Sequence, residues 1–334
     1  MFSPKKNVDS NTKELMRVIK TSSQLSLTAF KHAFPILGVN YFGSAPDAKL
    51  ENIEITVEPE GIRMEVNNVY QSASVTYKPL SGGCMQYANG KTEYQADSRF
   101  TTIASRDFEM IHRHQMDPLE NFSLAFTSSK DISFLSNIRE YSFYSNRHFM
   151  ARKFSMTTID LYYIEMMLPY FAPDVLKSIH ISYHAGRESE LKTWDFNNLA
   201  KLLQWRRAQH LVIEGVFVKL DVYNYLHFKS VCLTVETISA DEVMTIRSDT
   251  VRNRHFEKII IKFQKFENKD LLLDTLGPSF QKKSSPFGET QVYYFNKVKR
   301  NHAVVVTLCD NYSIKFQKID VNDAPAKLLM KTKW

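Results

Sequence analysis

Cysteine is scarce in this chain of 334 residues: Cys84, Cys232 and Cys309 are odd in number and far apart. Such usage excludes a disulfide framework and closely spaced pairs of metal-binding thiols, and the three are expected to be reduced and partly buried. Glycine and proline are also sparse, at 10 and 11, which excludes a collagen-like repeat and a Pro/Gly-rich disordered chain. No window holds eighteen consecutive apolar residues, so no transmembrane helix and no membrane partner are expected. The first twenty residues carry early lysines but no apolar run of the length a signal peptide needs. An intracellular protein, cytoplasmic or nuclear, is expected.

Signatures of chemistry are missing as well. Gly82-Gly83 lacks the spacing of a phosphate-binding loop or a dinucleotide fingerprint, and neither a nucleophile elbow nor a zinc-protease helix motif occurs. His112 and His114 are two apart, so on a helix they point away from each other and do not share a metal. His180 and His210 stand beside strand starts and are read as structural or exposed. No catalytic, cofactor-binding or metal-ligating residue is assigned, no cofactor is expected, and the chain is not expected to be an enzyme.

What the chain has is apolar and aromatic material for a large core: 43% hydrophobic residues, with 23 Phe and 16 Tyr, which favours strands. The formal charge of +7 is uneven. From Lys258 to Trp334 there are 14 Lys and Arg against 7 Asp and Glu, so the last quarter holds the whole excess. Its lysines are scattered through alternating stretches such as KIIIKFQKFENK, a pattern that suits the solvated face of half-buried strands. The alternative is a basic, nucleic-acid-associated protein that uses this C-terminal quarter.

A motif apolar-x-x-apolar-x-apolar recurs at Leu119, Ile138, Leu176, Ala208, Phe228 and Phe256, with offsets of 19, 38, 32, 20 and 28 residues. Alternation at its last two apolar positions is what a strand buried on one face requires. Six neighbouring strands of one mainly parallel sheet are therefore predicted, as strand-plus-helix units interrupted by shorter strand-plus-turn units. Helices are expected at TTIDLYYIEMMLPYF, with a capping box of Thr157 and Asp160, and at SADEVMTIRSDTVRNRHF, with Ser239 and Glu242 in the same roles. A third is expected from Asp195 as N-cap, with Phe196, Leu199, Leu202 and Leu203 as its apolar stripe. Trp205 would close that helix against the adjoining unit, leaving Arg206 and Arg207 solvated at its C-terminus. Fold class is thus α/β, a leucine-rich-repeat-like strand-helix array.

The first 115 residues differ. Two short helical segments precede Pro35 and suggest a helical N-terminal cap over residues 1–45. A β-meander follows over residues 46–115, through KLENIEITVE, IRMEVNNVY and SASVTYKPL, with SGGC as a turn, TEYQAD as a strand and RDFEMIHRHQ as a short helix. QVYYFNKV, HAVVVTLC and YSIKFQKI read as strands closing the array over residues 281–334, with QKKSSPFGE, at 281–289, as a loop or linker.

The order LKSIHISY, acidic spacer, DFNNLAKLLQWRRAQHLVIEG, YLHFKSVCLTVETISADEV resembles the FTH domain of the expanded nematode F-box family. Gln204, Trp205, Ala208 and Phe228 carry the resemblance, with His227 and the helix opening Ser239-Ala240-Asp241-Glu242. GGCMQYANGK and ASRDFEMIHRHQMDPLENFSL resemble the linker region of that family. The resemblance places the FTH domain, leucine-rich-repeat-like, at 116–280. It implies a non-enzymatic protein-binding scaffold, a substrate receptor of a Skp-cullin-F-box ubiquitin ligase, whose N-terminal F-box would dock on the Skp adaptor. An F-box usually opens with a Leu-Pro pair, and ELMRVIKTSSQLSLTAFKHAFPIL is short and lacks it. Two readings of this segment stay open, a degenerate F-box or an ordinary cap on the first strand. In the former, Leu15, Ile19, Leu25 and Phe30 would bind the adaptor. The partner protein itself is not named by any motif.

Overall fold

The computed structural model describes residues 50–325, apart from 69–71, 89, 116, 128–131, 146, 185–190, 286–287, 297–301, 310–311 and 324. Among the described residues the chain is mixed α/β, with seventeen strands and six α-helices. It divides into two compact units: one takes the residues up to Lys153 with Met166–Val175, the other Phe154–Glu165 with the residues from Leu176 onward. No described helix is long and apolar enough to cross a membrane. The expected N-terminal helical cap lies outside the described residues.

The first unit opens with an antiparallel meander: β1 (Asn52–Glu58), β2 (Gly61–Asn67), β3 (Ser72–Leu80), β4 (Gly83–Ala88) and β5 (Lys91–Ala96). Strict alternation sends Ile53, Ile55, Val57, Met64, Val66, Val75 and Tyr77 to one face, where all are buried. Helix α1 (Phe100–His114) packs on β2, β3 and β4, burying Ile103, Ala104, Phe108 and Ile111 at helical spacing. Strand β6 (Leu119–Phe126) then returns parallel to β1, in register Ile55 with Leu124, and α2 (Ser133–Ser145) packs on α1. Two expectations need correction here. Only Ser81 and Gly82 of SGGC form a turn, and Gly83 and Cys84 already belong to β4. The helix begins at Phe100 rather than Arg106, because the core contacts of Ile103 and Ala104 outweigh the weak helix propensity of Thr101, Thr102 and Ile103.

The division between units falls within β7 (Ala151–Thr158), and α3 (Leu161–Met167) follows it. The second unit contains β8 (Ser178–Tyr183), β9 (Thr193–Asp195), α4 (Leu203–Arg207), β10 (His210–Glu214), β11 (Phe217–Lys219), β12 (Ser230–Ser239), α5 (Ala240–Arg252), β13 (Lys258–Glu267), α6 (Lys269–Leu276), β14 (Gln281–Ser285), β15 (Gly288–Asn296), β16 (His302–Cys309) and β17 (Ser313–Asp320). Its sheet order is β8-β10-β12-β13-β17-β16-β15-β14. The first four strands are parallel, with Ile179 opposite Leu211, Leu211 opposite Val231 and Val231 opposite Ile259, so these copies of the recurrent motif are neighbours in one sheet. The rest is antiparallel, closed by β17 on β13.

Four sequence expectations change in detail. The copy at Ile138 lies inside α2, where Phe134, Leu135, Ile138 and Ser142 are buried at helical spacing and Phe143 is 70% exposed. The apolar i, i+3 pair is common to both structures, and only period-2 burial marks a strand. A further copy of the motif, Ala151-x-x-Phe154-x-Met156, does form a strand, β7. The capping box of Thr157 is absent: β7 runs to Thr158, and Asp160 caps the start of α3 by accepting from the Tyr162 N–H at 2.9 Å. The helix expected from Asp195 is broken into a 3₁₀ turn (Leu199–Lys201) and the five-residue α4, with Leu203 exposed. Finally, 281–289 is no linker, since Gln281–Ser285 pairs with β15.

Candidate functional site

Each parallel strand of the second unit is entered through a buried apolar residue two positions before it: Leu176, Ala208, Phe228 and Phe256. Between the first three entries, chain returns of a similar plan are stitched together by polar side chains. After β8 the chain forms β9, then the 3₁₀ turn; after β10 it forms β11, then a 3₁₀ turn at Val222–Asn224, and β9 and β11 pair in parallel. Asp195 Oδ1 accepts from the Asn197 main-chain and side-chain nitrogens at 3.0 and 2.9 Å. Those bonds, with Lys219 alongside, hold its carboxyl below the usual carboxylate range. Asn197 Oδ1 accepts in turn from the Asp221 N–H and the Asn224 side chain, and Asp221 caps the second 3₁₀ turn through the Tyr223 N–H.

Trp205 lies at the centre of these returns. It is fully buried, between Phe196 and Phe228, and its indole Nε1–H donates to the Asn224 carbonyl at 2.8 Å. His227 Nε2 lies 3.0 Å from the Trp205 carbonyl; burial lowers its pKa, which the Trp205 carbonyl raises and Arg206 lowers. Gln204, Trp205, Ala208 and Phe228 are all buried, and the Phe228 ring packs edge-on against the Trp205 indole. Their geometry suits holding successive returns in register rather than contacting a ligand. Arg206 and Arg207 are exposed at the end of α4.

The strands present their other face outward. His180, Ser182 and Glu214 meet there, with His180 Nε2 3.3 Å from Glu214 Oε2 and 3.3 Å from Ser182 Oγ. Across β10, β12 and β13 the same face continues with Val212, Cys232 and Ile260, one row opposite another. The Cys232 thiol is pushed up chiefly by burial, while Lys262 and Lys258 pull it down and Glu214 adds to the rise. Such a thiol stays protonated and is a poor nucleophile. Patterning made the lysines of β13 legible as a strand face, but the row that joins them to β17 depends on a pairing across the whole C-terminal segment.

A second polar cluster lies in the first unit, between α1 and β3. The Tyr77 hydroxyl donates to Asp107 Oδ2 at 2.9 Å, with both residues buried. Burial pushes Asp107 up to about 7, against the pull of Tyr77 and Arg106. Nearby Cys84, also buried, is pushed up to about 11, so it too is a thiol rather than a thiolate. His112 is buried against Phe108, Tyr141 and Phe149, and neither ring nitrogen has a hydrogen-bond partner of good geometry. Burial and Arg147 hold it down to about 4, with a small opposing pull from the His148 main chain. Among the described residues no group of His, Cys, Asp and Glu is arranged to hold a metal ion. Leu15, Ile19, Leu25 and Phe30 lie outside the described residues.

Residues 133–274, which include α2, the parallel strands and the indole at their centre, match the family model of the FTH domain. Over those residues the chain is similar to the FTH domain. It is also similar to F-box A protein 224 of Caenorhabditis elegans, at 21% identity over 205 residues, covering 58% of this chain and 52% of that protein. The chain thus spans about half the length of the curated relative it matches. The resemblance carried by Gln204, Trp205, Ala208 and Phe228 is borne out at the level of the FTH domain, whose matched span begins within α2 and ends within α6.

Proposed function

We propose that this chain is an FTH-domain protein, a non-enzymatic protein-binding scaffold of leucine-rich-repeat-like construction, and that it serves as a substrate receptor of a Skp-cullin-F-box ubiquitin ligase. One observation carries the scaffold reading: four parallel strands in register, entered through buried apolar residues, hold an outward face of Ser, His, Thr, Lys and Glu side chains. Rigid strands that present solvated side chains at fixed spacing suit recognition of another protein surface. The relative's name supports the ligase part, and the sequence of residues 1–45 supplies the adaptor-binding segment in this reading.

The test is co-purification. The 334-residue chain, melting cooperatively, should retain the Skp adaptor at micromolar concentration. A cooperatively folded protein that captures no adaptor would remove the ligase part and leave the scaffold.

A further inference from the structure

The open face of β12, β13 and β17 carries three cations that the fold does not use. Lys258, Ile260 and Lys262 of β13 stand opposite Ser230, Cys232 and Thr234 of β12, and on the other side opposite Gln317, Lys315 and Ser313 of β17. Their sequence neighbours Val231, Leu233, Ile259, Ile261, Ile314 and Phe316 are buried, so alternation puts all nine on the outward face. Lys258 and Lys262 are four residues apart, about 13 Å along the strand, and Lys315 lies beside Ile260 at one strand spacing of about 4.8 Å.

None of the three lysine side chains has an ion pair or hydrogen bond with another described residue. The nine positions hold no carboxylate, no arginine and no aromatic ring. Glu214, the acid that acts on Cys232 from β10, lies against His180. Three positive charges thus surround a small apolar centre of Ile260 and Cys232. Like charges on one sheet face repel, so the bare face favours whatever neutralises them.

We propose that this face docks an acidic segment of a partner protein, with one small apolar side chain seated on Ile260 and Cys232 and flanking carboxylates on Lys258, Lys262 and Lys315. The inference rests on the scaffold reading above but is independent of the adaptor. The composition of the face favours a peptide over nucleic acid. Single-stranded bases stack on aromatic platforms, which this face lacks, whereas its lysines supply point charges for carboxylates and its apolar centre seats an aliphatic side chain.

Fluorescence anisotropy on the full chain tests it, with three probes: a synthetic peptide of glutamates around a central leucine, the same peptide with lysine for glutamate, and an oligouridine of equal negative charge. The acidic peptide should bind saturably, and more weakly as ionic strength rises. Lys258→Glu/Lys262→Glu/Lys315→Glu should weaken it by about tenfold or more. The triple Lys→Gln variant should fall between, and Lys282→Glu, on a lysine paired with Glu289, should bind like wild type. Melting curves identify any variant that fails to fold, in which case the Gln variant decides. No binding of the acidic peptide, or equal binding by wild type and a folded triple variant, would overturn the proposal. Oligouridine bound more tightly than the peptide, and lost on charge reversal, would overturn it in favour of nucleic acid. Adaptor capture by a variant that has lost the peptide leaves the ligase reading intact, so the two ideas fail separately.

Discussion

Asp107 and His112 stand five residues apart on α1, both buried, and they tilt the pH dependence of stability in opposite directions. Folded Asp107 keeps its proton up to about pH 7, whereas an unfolded aspartate releases it near 3.8. The folded state therefore binds the extra proton between those values, so the stabilisation is fully present at low pH and lost as pH rises through 7. His112 titrates near 4 when folded and near 6.5 when unfolded. Here the unfolded state takes up the proton, and stability is lost as pH falls from 6.5 toward 4. The two slopes oppose each other below about pH 6.5, and above it only Asp107 acts. Asp107→Asn keeps an acceptor for the Tyr77 hydroxyl and has no charge to bury. It should be more stable than wild type at about pH 8 by about 2–4 kcal/mol, with the gap closing near pH 4, in urea titrations across that range. A constant gap would show that burial of the carboxylate is not the cause. Trp205 calls for a different substitution. Trp205→Ala removes a fully buried indole and its bond to Asn224 and should cost about 3–5 kcal/mol, while Arg206→Ala on the exposed side should stay within about 0.5 kcal/mol. Similar small losses for both in denaturant would argue against the packing role.

At the scale of elements, local devices were the most legible in the sequence and non-local pairings the least. Ser239 and Glu242 form the predicted capping box: the Ser239 N–H donates to Glu242 Oε2 at 2.8 Å and the Glu242 N–H to Ser239 Oγ at 3.2 Å. Ser239→Ala should therefore cost about 1 kcal/mol of stability by calorimetric or denaturant melting. Strand β4 went unread because its anchor is a steric fit that no periodicity encodes. A Cβ at Gly83 would stand 2.2 Å from the Gln95 carbonyl oxygen on β5, backbone against side chain, whereas at Gly90 it would meet nothing within 4 Å. Gly83→Ala should prise β4 from β5 and cost at least about 2 kcal/mol. Gly90→Ala, with only its φ of +75° to oppose it, should cost about 1. Equal losses from the two would show that backbone conformation, not close approach, sets the requirement. The same distinction explains the remaining differences. Ile138 and Ala151 both start the recurrent motif, but only the burial of Phe154 and Met156 on one face separates strand from helix. An apolar stripe predicts a helix from Asp195, yet the Asx turn in which Asp195 accepts from the Asn197 N–H and the pairing of β9 with β11 take that backbone first. Trp205 was legible as a packing residue because an indole followed by a strand entry leaves little else to do, while its hydrogen-bond partner Asn224, nineteen residues on, was not.

Over the whole molecule, the charge excess of the C-terminal quarter and the apolar residues of the N-terminal segment pose separate questions, because one concerns what the scaffold holds and the other what holds the scaffold. The lysines of β13 and β17 are already placed by a sheet register that fixes which of them face outward together. Leu15, Ile19, Leu25 and Phe30 have only their sequence, which fits two roles with different energetics. In an adaptor surface these side chains stay exposed until the partner covers them, and apolar patches of that kind mark interfaces. In a cap they are buried against the body of the fold and cover apolar surface; β1 is paired on both sides, with β6 and β2, so the cap guards no open edge of the first strand. Leu25→Asp/Phe30→Asp separates the two when a pulldown is run beside a melting curve. For an adaptor surface, the double variant should lose adaptor capture entirely and melt within about 2–4 °C of wild type, since exposed substitutions change stability little. For a cap, two buried carboxylates should lower the melting temperature well beyond that, and wild type should never have retained the adaptor. Capture that survives in the double variant would place the adaptor contact elsewhere in the chain.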